Sequence, residues 1–171
     1  VVGRQDDEEG RSHTGLRPDL KAPAVLPDGR LLYTRWEYVD RPACPIQSLW
    51  SINPDGTGLA GFYGNRVISP GTFMDAQPIP GTGQVIATAT NHNGSCRGGI
   101  VAIDPAWGAN AREAIRNLTP EVDIYAHRLG GGPWGNGMLA CRIGGTYEKP
   151  LAIDDHRFLV SKGGTIQLRD F

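Results

Sequence analysis

Two loop segments of the sequence contain the residue types that could do chemistry. One precedes the run Ser48-Leu49-Trp50, the other precedes Gly99-Ile100-Val101, and together they contribute carboxylate, guanidinium, amide, imidazole and thiol groups: Glu37, Asp40, Arg41, Cys44, His92, Asn93, Cys96 and Arg97. A histidine beside two thiols is a ligand set for zinc, and the charged groups could line a pocket for a small polar ligand. The same residues could instead satisfy loop backbone groups, with Cys44 and Cys96 buried or oxidised to a disulfide. These interpretations stay open because no Cys-x-x-Cys pattern is present.

The sequence positions of the two loops predict that both lie on one face of the fold. Cys44 stands four residues before its β-rich run, and Cys96 stands three residues before the equivalent run. Equivalent loops of neighbouring repeats emerge side by side. We therefore expect Cys44 and Cys96 to lie nearer to each other than either lies to Cys141, with His92 beside them.

The elements that must position these loops are copies of one pattern: a turn, a β-rich run, a loop and a second β-rich run. Asp28-Gly29 and Asp55-Gly56 bound the first copy, and Asp-Gly supplies the positive φ that tight hairpins need. β-branched, aliphatic and aromatic residues between such turns are typical of strands. The pattern predicts antiparallel strands at residues 31–35, 49–52, 85–89, 100–103, 158–161 and 165–168.

The composition agrees with an all-β fold. Glycine and proline account for 24 and 13 of the 171 residues, which exceeds average use, and the best helical candidate, 110–117, is short enough to be one turn inside a loop. The repeats predict a partial β-propeller with about two full blades plus flanking partial blades. Because a propeller closes with about four to eight blades, we expect the chain to be a piece of a longer protein.

The repeats also divide the chain. Residues 1–20 are expected to form the end of a preceding blade or a linker, and residues 21–171 are expected to hold the propeller-blade repeats. The predicted modules are residues 24–65, 75–122 and 147–171. A glycine-rich insertion at 123–146 separates the last two modules.

Charge and hydropathy argue against two classes of partner. Seventeen basic and eighteen acidic residues give a net charge of −1 without a basic block, so no nucleic-acid partner is expected. No apolar run approaches the roughly 18–20 residues of a membrane span. The run at 130–137 (GGGPWGNG) lacks the lysine and hydroxyl residue of a phosphate loop, and no Gly-x-Ser-x-Gly motif marks a serine hydrolase. The residues therefore indicate no catalytic set.

Several runs carry a family resemblance, which covers roughly residues 20–171. The runs are 26–30 (LPDGR), 33–40 (YTRWEYVD), 50–57 (WSINPDGT), 75–83 (DAQPIPGTG), 117–122 (NLTPEV), and 147–150 (YEKP) leading to 158–161 (FLVS). In this order they resemble the propeller in the middle domain of hydrazine synthase alpha subunits. The turn motifs alone are shared with Tol-type periplasmic propellers.

The resemblance implies a bacterial protein of the periplasm or the extracellular space, with haem chemistry in hydrazine synthase itself. A c-type haem needs Cys-x-x-Cys-His, and the three cysteines here are isolated from one another. We therefore expect a non-haem propeller that acts as a binding or scaffold module of a larger exported protein. Its partners would be the remaining blades and domains, together with a small polar or carbohydrate ligand. The alternative is the propeller part of an enzyme, a multihaem redox protein or a hydrolase, whose catalytic residues lie outside these residues.

Overall fold

The computed structural model describes residues 5–6, 12–13, 21–36, 46–67, 69–90, 96–125, 127–129, 139–141, 143 and 145–171. These residues form strands and two short 3-10 turns, Pro105–Trp107 and Arg112–Ala114. The strands are β1 Gln5–Asp6, β2 Ser12–His13, β3 Lys21–Val25, β4 Leu31–Trp36, β5 Gln47–Ile52, β6 Ala60–Tyr63, β7 Thr72–Pro78, β8 Val85–Thr90, β9 Gly99–Ile103, β10 Ile115–Asn117, β11 His127–Leu129, β12 Leu139–Cys141, β13 Tyr147–Ala152, β14 Arg157–Lys162 and β15 Thr165–Asp170.

The strands form three antiparallel meanders. Sheet I consists of β3 to β6 in chain order, sheet II of β7 to β10, and sheet III of β13 to β15. Among the described residues, one parallel pair, Gln47 with Thr72, joins β5 of sheet I to β7 of sheet II. The pairs β1–β2 and β11–β12 form separate two-stranded ladders. The fold is therefore all-β with sheets of mixed topology.

Each of the six predicted strands lies inside an observed one: β4, β5, β8, β9, β14 and β15. The turn chemistry explains the hairpins. Gly29 has a φ of 86°, and Asp28 Oδ1 accepts a hydrogen bond of 3.1 Å from the Arg30 N–H. Gly163 and Gly164 have φ values of 56° and 85° between β14 and β15. The helical candidate at 110–117 contains one 3-10 turn and then β10, so the expectation of a single turn is confirmed.

The first strand of each sheet contains the same irregularity. Between the pairs Lys21–Thr34 and Ala24–Leu32, β3 advances by three residues while β4 advances by two. The same extra residue occurs between Met74 and Gln77 in β7 and between Glu148 and Leu151 in β13. A β-bulge of this kind bends its strand and is a position-specific feature of a fold. The three sheets are therefore copies of one unit down to the position of the bulge.

Sheet II lies between the other two sheets. All six residues of β8 are buried, and its side chains alternate between two cores, as the period of two in a strand requires. Val85, Ala87 and Ala89 pack in the core shared with sheet I. Ile86 packs in the core shared with sheet III. Since burying a Leu, Ile or Phe side chain contributes about 1.5–3 kcal/mol, these two cores hold the sheets face to face.

The first strands of the sheets lie next to one another. β7 contacts β3 on one side and β13 on the other. The Thr34 hydroxyl of β4 donates a hydrogen bond of 2.6 Å to the Phe73 carbonyl oxygen of β7. The bulged strands are therefore gathered on one side of the stack, and the fourth strands, β6 and β10, lie on the opposite side.

Candidate functional site

Most of the predicted loop face lies outside the described residues. Six of its residues fall within 37–45 and 91–95, which the structure does not describe: Glu37, Asp40, Arg41, Cys44, His92 and Asn93. The predicted proximity of Cys44 and Cys96 therefore stays a prediction.

Cys96 and Arg97 are the described members of that face. Cys96 is exposed and has a φ of 57°. Arg97 Nε lies 3.3 Å from Glu148 Oε1 of sheet III. The next residue, Gly98, exchanges backbone hydrogen bonds of 2.9 and 3.3 Å with Tyr147. Arg97 thus helps to join sheet II to sheet III. Across the described ranges, His, Cys, Asp and Glu form no group of three or more that could hold a metal ion.

The bulges place two charged residues at equivalent positions on neighbouring strands. Asp75 in β7 and Lys149 in β13 both have a φ of 52°, in the left-handed region that few non-glycine residues adopt. Burial raises the pKa of the Asp75 carboxyl, the Lys149 ammonium lowers it, and Glu148 raises it further. A carboxylate with a raised pKa in an unusual backbone conformation is a candidate functional group.

A cluster of four side chains joins the loop after β10 to sheet III. The Tyr147 hydroxyl donates a hydrogen bond to Glu121 Oε1. Arg169 Nη1 donates to the same oxygen at 3.1 Å and to the Tyr147 hydroxyl oxygen at 2.6 Å. Lys162 Nζ lies 3.9 Å from Glu121 Oε1 and 4.6 Å from the centroid of the Tyr147 ring.

This charge cluster stabilises an ionised carboxylate. The hydrogen bond from Tyr147, the backbone hydrogen bond and the contacts with Arg169 lower the pKa of Glu121 to about 2. A carboxylate with so low a pKa is a weak base, so Glu121 is poorly suited to proton transfer near neutral pH. The cluster therefore acts as a link between sheets.

A cavity of about 450 Å³ lies beside the end of β6 and the start of β10, the fourth strands of sheets I and II. Its walls come from the connection between β6 and β7, the connection between β9 and β10, and the segment after β10: Tyr63, Arg66, Val67, Ser69, Asn110, Arg112 and Tyr125. Its volume is within the range of roughly 300–1,000 Å³ that is common for small-molecule sites.

Hydrogen bonds hold the cavity walls together. The Arg66 N–H donates to Asn110 Oδ1 at 2.7 Å, and the Tyr63 hydroxyl donates to the Ala111 carbonyl oxygen at 2.9 Å. The Ser69 hydroxyl donates to the carbonyl oxygen of Ile124 at 3.1 Å. Three segments that are distant in sequence are therefore joined into one wall by side-chain contacts.

Sequence patterns gave no sign of this cavity. Its residues extend from Tyr63 to Tyr125, and only the stacking of sheet I on sheet II brings them together.

Comparison with known proteins gives a structural likeness and no match by sequence. No protein-family model matches the sequence, and no curated protein matches it. In the part of the chain that the structure describes, no helix is both long and apolar enough to cross a membrane. The structure is similar to a solved chain of Kuenenia stuttgartiensis hydrazine synthase, with a TM-score of 0.57 and 20% sequence identity. The match covers 87% of this chain and 17% of that chain, so this chain spans less than a fifth of its length. At this level of identity the likeness shows a shared fold.

Proposed function

We propose that the chain is a segment of a β-propeller that serves as a binding and scaffold module of a larger exported bacterial protein. Sheets I and II correspond to two full blades, and sheet III corresponds to part of a third. The module is related to the middle domain of hydrazine synthase alpha subunits and to Tol-type propellers, and it belongs in the periplasm or the extracellular space.

The repeated bulge is the observation that carries this proposal. An extra residue stands at one register position in the first strand of all three sheets, after Lys21, Met74 and Glu148. Unrelated sheets are not expected to share a bulge at the same register position. Repeated blades arranged around one axis are expected to share it, because each first strand must bend at the same place. The contacts of β7 with β3 and β13 agree with first strands that lie around such an axis.

The outward face of sheet III supports the presence of a further blade. Leu159 of β14 stands between Leu151 of β13 and Leu168 of β15 in the ladder. Leu151 is 47% exposed, Leu168 is 57% exposed, and the nearby Ile166 is 74% exposed. The equivalent faces of sheets I and II are covered by the next sheet. A further sheet of the longer protein would cover this apolar face in the same way.

The scaffold would present its loops for binding without haem chemistry of its own. The residues proposed for the loop face are Glu37, Asp40, Arg41, His92, Asn93 and Arg97, and the zinc ligands considered there are Cys44, Cys96 and His92. The three separated cysteines do not suit covalent attachment of a c-type haem, which requires a paired motif. A polar or carbohydrate ligand on this face remains part of the proposal.

Hydrogen–deuterium exchange tests whether a further strand pairs with β15. We would compare the 171-residue chain with the product of the complete gene, following the amides of residues 165–170. Pairing with another strand should slow exchange at the amides of β15 that do not bond to β14. Residues 99–103 serve as the control, because β9 already pairs on both sides. Equal exchange of β15 in both proteins would contradict the propeller proposal.

A further inference from the structure

We infer that the 450 Å³ cavity beside the fourth strands of sheets I and II is a binding site for a small organic anion that carries a carboxylate or phosphate group. None of the described residues that line the cavity belongs to the loop face. The charges, the ring contact and the hydrogen-bonded walls of the cavity support this assignment, whatever the number of blades.

Two exposed arginines are among the residues that line the cavity. Arg66 and Arg112 both line it, and among the described residues neither forms an ion pair with a carboxylate. Other arginines of the described ranges do form ion pairs, as Arg157 does with Asp154 at 2.7 Å and Arg169 does with Glu121 at 3.1 Å. Two cations that line the same cavity repel each other, and an anion bound between them would offset that repulsion. The arrangement is therefore electrostatically suited to an oxyanion.

Stacking holds one of the two guanidinium groups. The Arg112 Cζ atom lies 4.4 Å from the centroid of the Tyr125 ring. A stacked guanidinium keeps its N–H edge available, and its planar fork matches the two oxygens of a carboxylate or phosphate. The contact with the ring restricts the side chain, so less side-chain entropy is lost when an anion binds, and this favours affinity.

The cavity is also lined by neutral polar side chains, among them Tyr63 and Asn110. Burial, together with the nearby Tyr125 and Glu113, raises the pKa of Tyr63 to about 12, so the phenol remains protonated at neutral pH. The Tyr63 hydroxyl donates a hydrogen bond to the Ala111 carbonyl oxygen. Asn110 Oδ1 accepts a hydrogen bond from the backbone N–H of Arg66. Glu113 limits the net positive charge near the cavity. The volume exceeds that of a bare inorganic ion, so an organic body should accompany the anionic group.

Paired probes test this inference by isothermal titration calorimetry on the 171-residue protein. Benzoate and benzamide have nearly the same shape, but only benzoate is charged, and inorganic phosphate provides an anion without an organic body. We expect benzoate to bind at least tenfold more tightly than benzamide, with an affinity that falls as salt is added. Phosphate should bind more weakly than benzoate. Equal affinity for benzoate and benzamide would overturn the inference.

Matched variants locate the binding. Arg66→Gln and Arg112→Gln should each lower benzoate affinity about tenfold or more, and Arg112→Lys should also lower it because an ammonium lacks the fork. Arg116→Gln removes an exposed arginine that does not line this cavity, so its affinity should match that of the unmodified protein. Circular dichroism and melting temperature would establish that the variants fold. Unchanged affinity in folded Arg66→Gln and Arg112→Gln would place benzoate elsewhere and refute the site.

Discussion

The side-chain alternation of sheet III can be tested by a pair of substitutions on opposite faces. Phe158 is fully buried, and its ring lies 5.0 Å from that of Phe171 in the core between sheets II and III. Leu168 lies on the other face and is 57% exposed. Removal of a buried phenylalanine ring costs about 3–5 kcal/mol, from lost transfer free energy and the cavity that remains. Leu168→Ala should change the free energy of unfolding by no more than about 0.5 kcal/mol.

Urea unfolding followed by circular dichroism measures both values. Because small domains have about 5–15 kcal/mol of stability, Phe158→Ala should remain measurable in water at low temperature. Phe158→Leu offers a milder variant, expected to cost about 1.5 kcal/mol or less. Equal losses for Phe158→Ala and Leu168→Ala, or a negligible loss for Phe158→Ala, would show that sheet III does not bury this face against sheet II.

Three further predictions concern the titratable and hydroxyl groups. Glu121→Gln should cost about 1 kcal/mol or less at pH 7, because Glu121 is 45% exposed and solvent screens the cluster. The stabilisation by Glu121 is present above its ordinary pKa of 4.5 and is lost as the pH falls towards 2, so the two proteins should converge in acid unfolding curves, and a constant difference would contradict this. Asp75→Asn should stabilise the fold at pH 7 by ~1 kcal/mol at most, since burial raises the pKa of that carboxyl. This gain in stability should vanish below pH 3.8, the ordinary pKa of an aspartate. A gain that persists below that pH would exclude the charge of Asp75 as its cause. Thr88→Val should be neutral or stabilising in thermal melts, as Thr88 Oγ1 has no hydrogen-bond partner among the described residues. Thr119→Val should lower stability by about 1–3 kcal/mol, because it removes the acceptor for the Ile100 N–H. A larger loss for Thr88→Val than for Thr119→Val would refute these hydrogen-bond assignments.

The sequence predicted the strands that have regular alternation and clear turns. Asp28-Gly29 marks the hairpin before β4 because only such residues adopt its positive φ easily. The first strands β3, β7 and β13 were not predicted. Each contains a proline, Pro23, Pro78 or Pro150, together with a bulge that breaks the period of two.

The candidate sites were less accessible to sequence reasoning. The loop face was predicted from equivalent positions in two repeats, and most of its residues lie outside the described ranges. The cavity with Arg66 and Arg112 depends on the packing of two sheets, and no local motif records that contact. Glu121 and Arg169 are likewise 48 residues apart, so their pairing follows from tertiary structure alone.

An experimental structure of the complete gene product would test the central claim most directly. We expect a closed ring of antiparallel sheets in which β3, β7 and β13 lie side by side around the axis, and in which a further sheet covers Leu151, Leu159 and Leu168. A structure in which that face packs on helices or remains open to solvent, or in which the bulged strands lie at the periphery, would contradict the account.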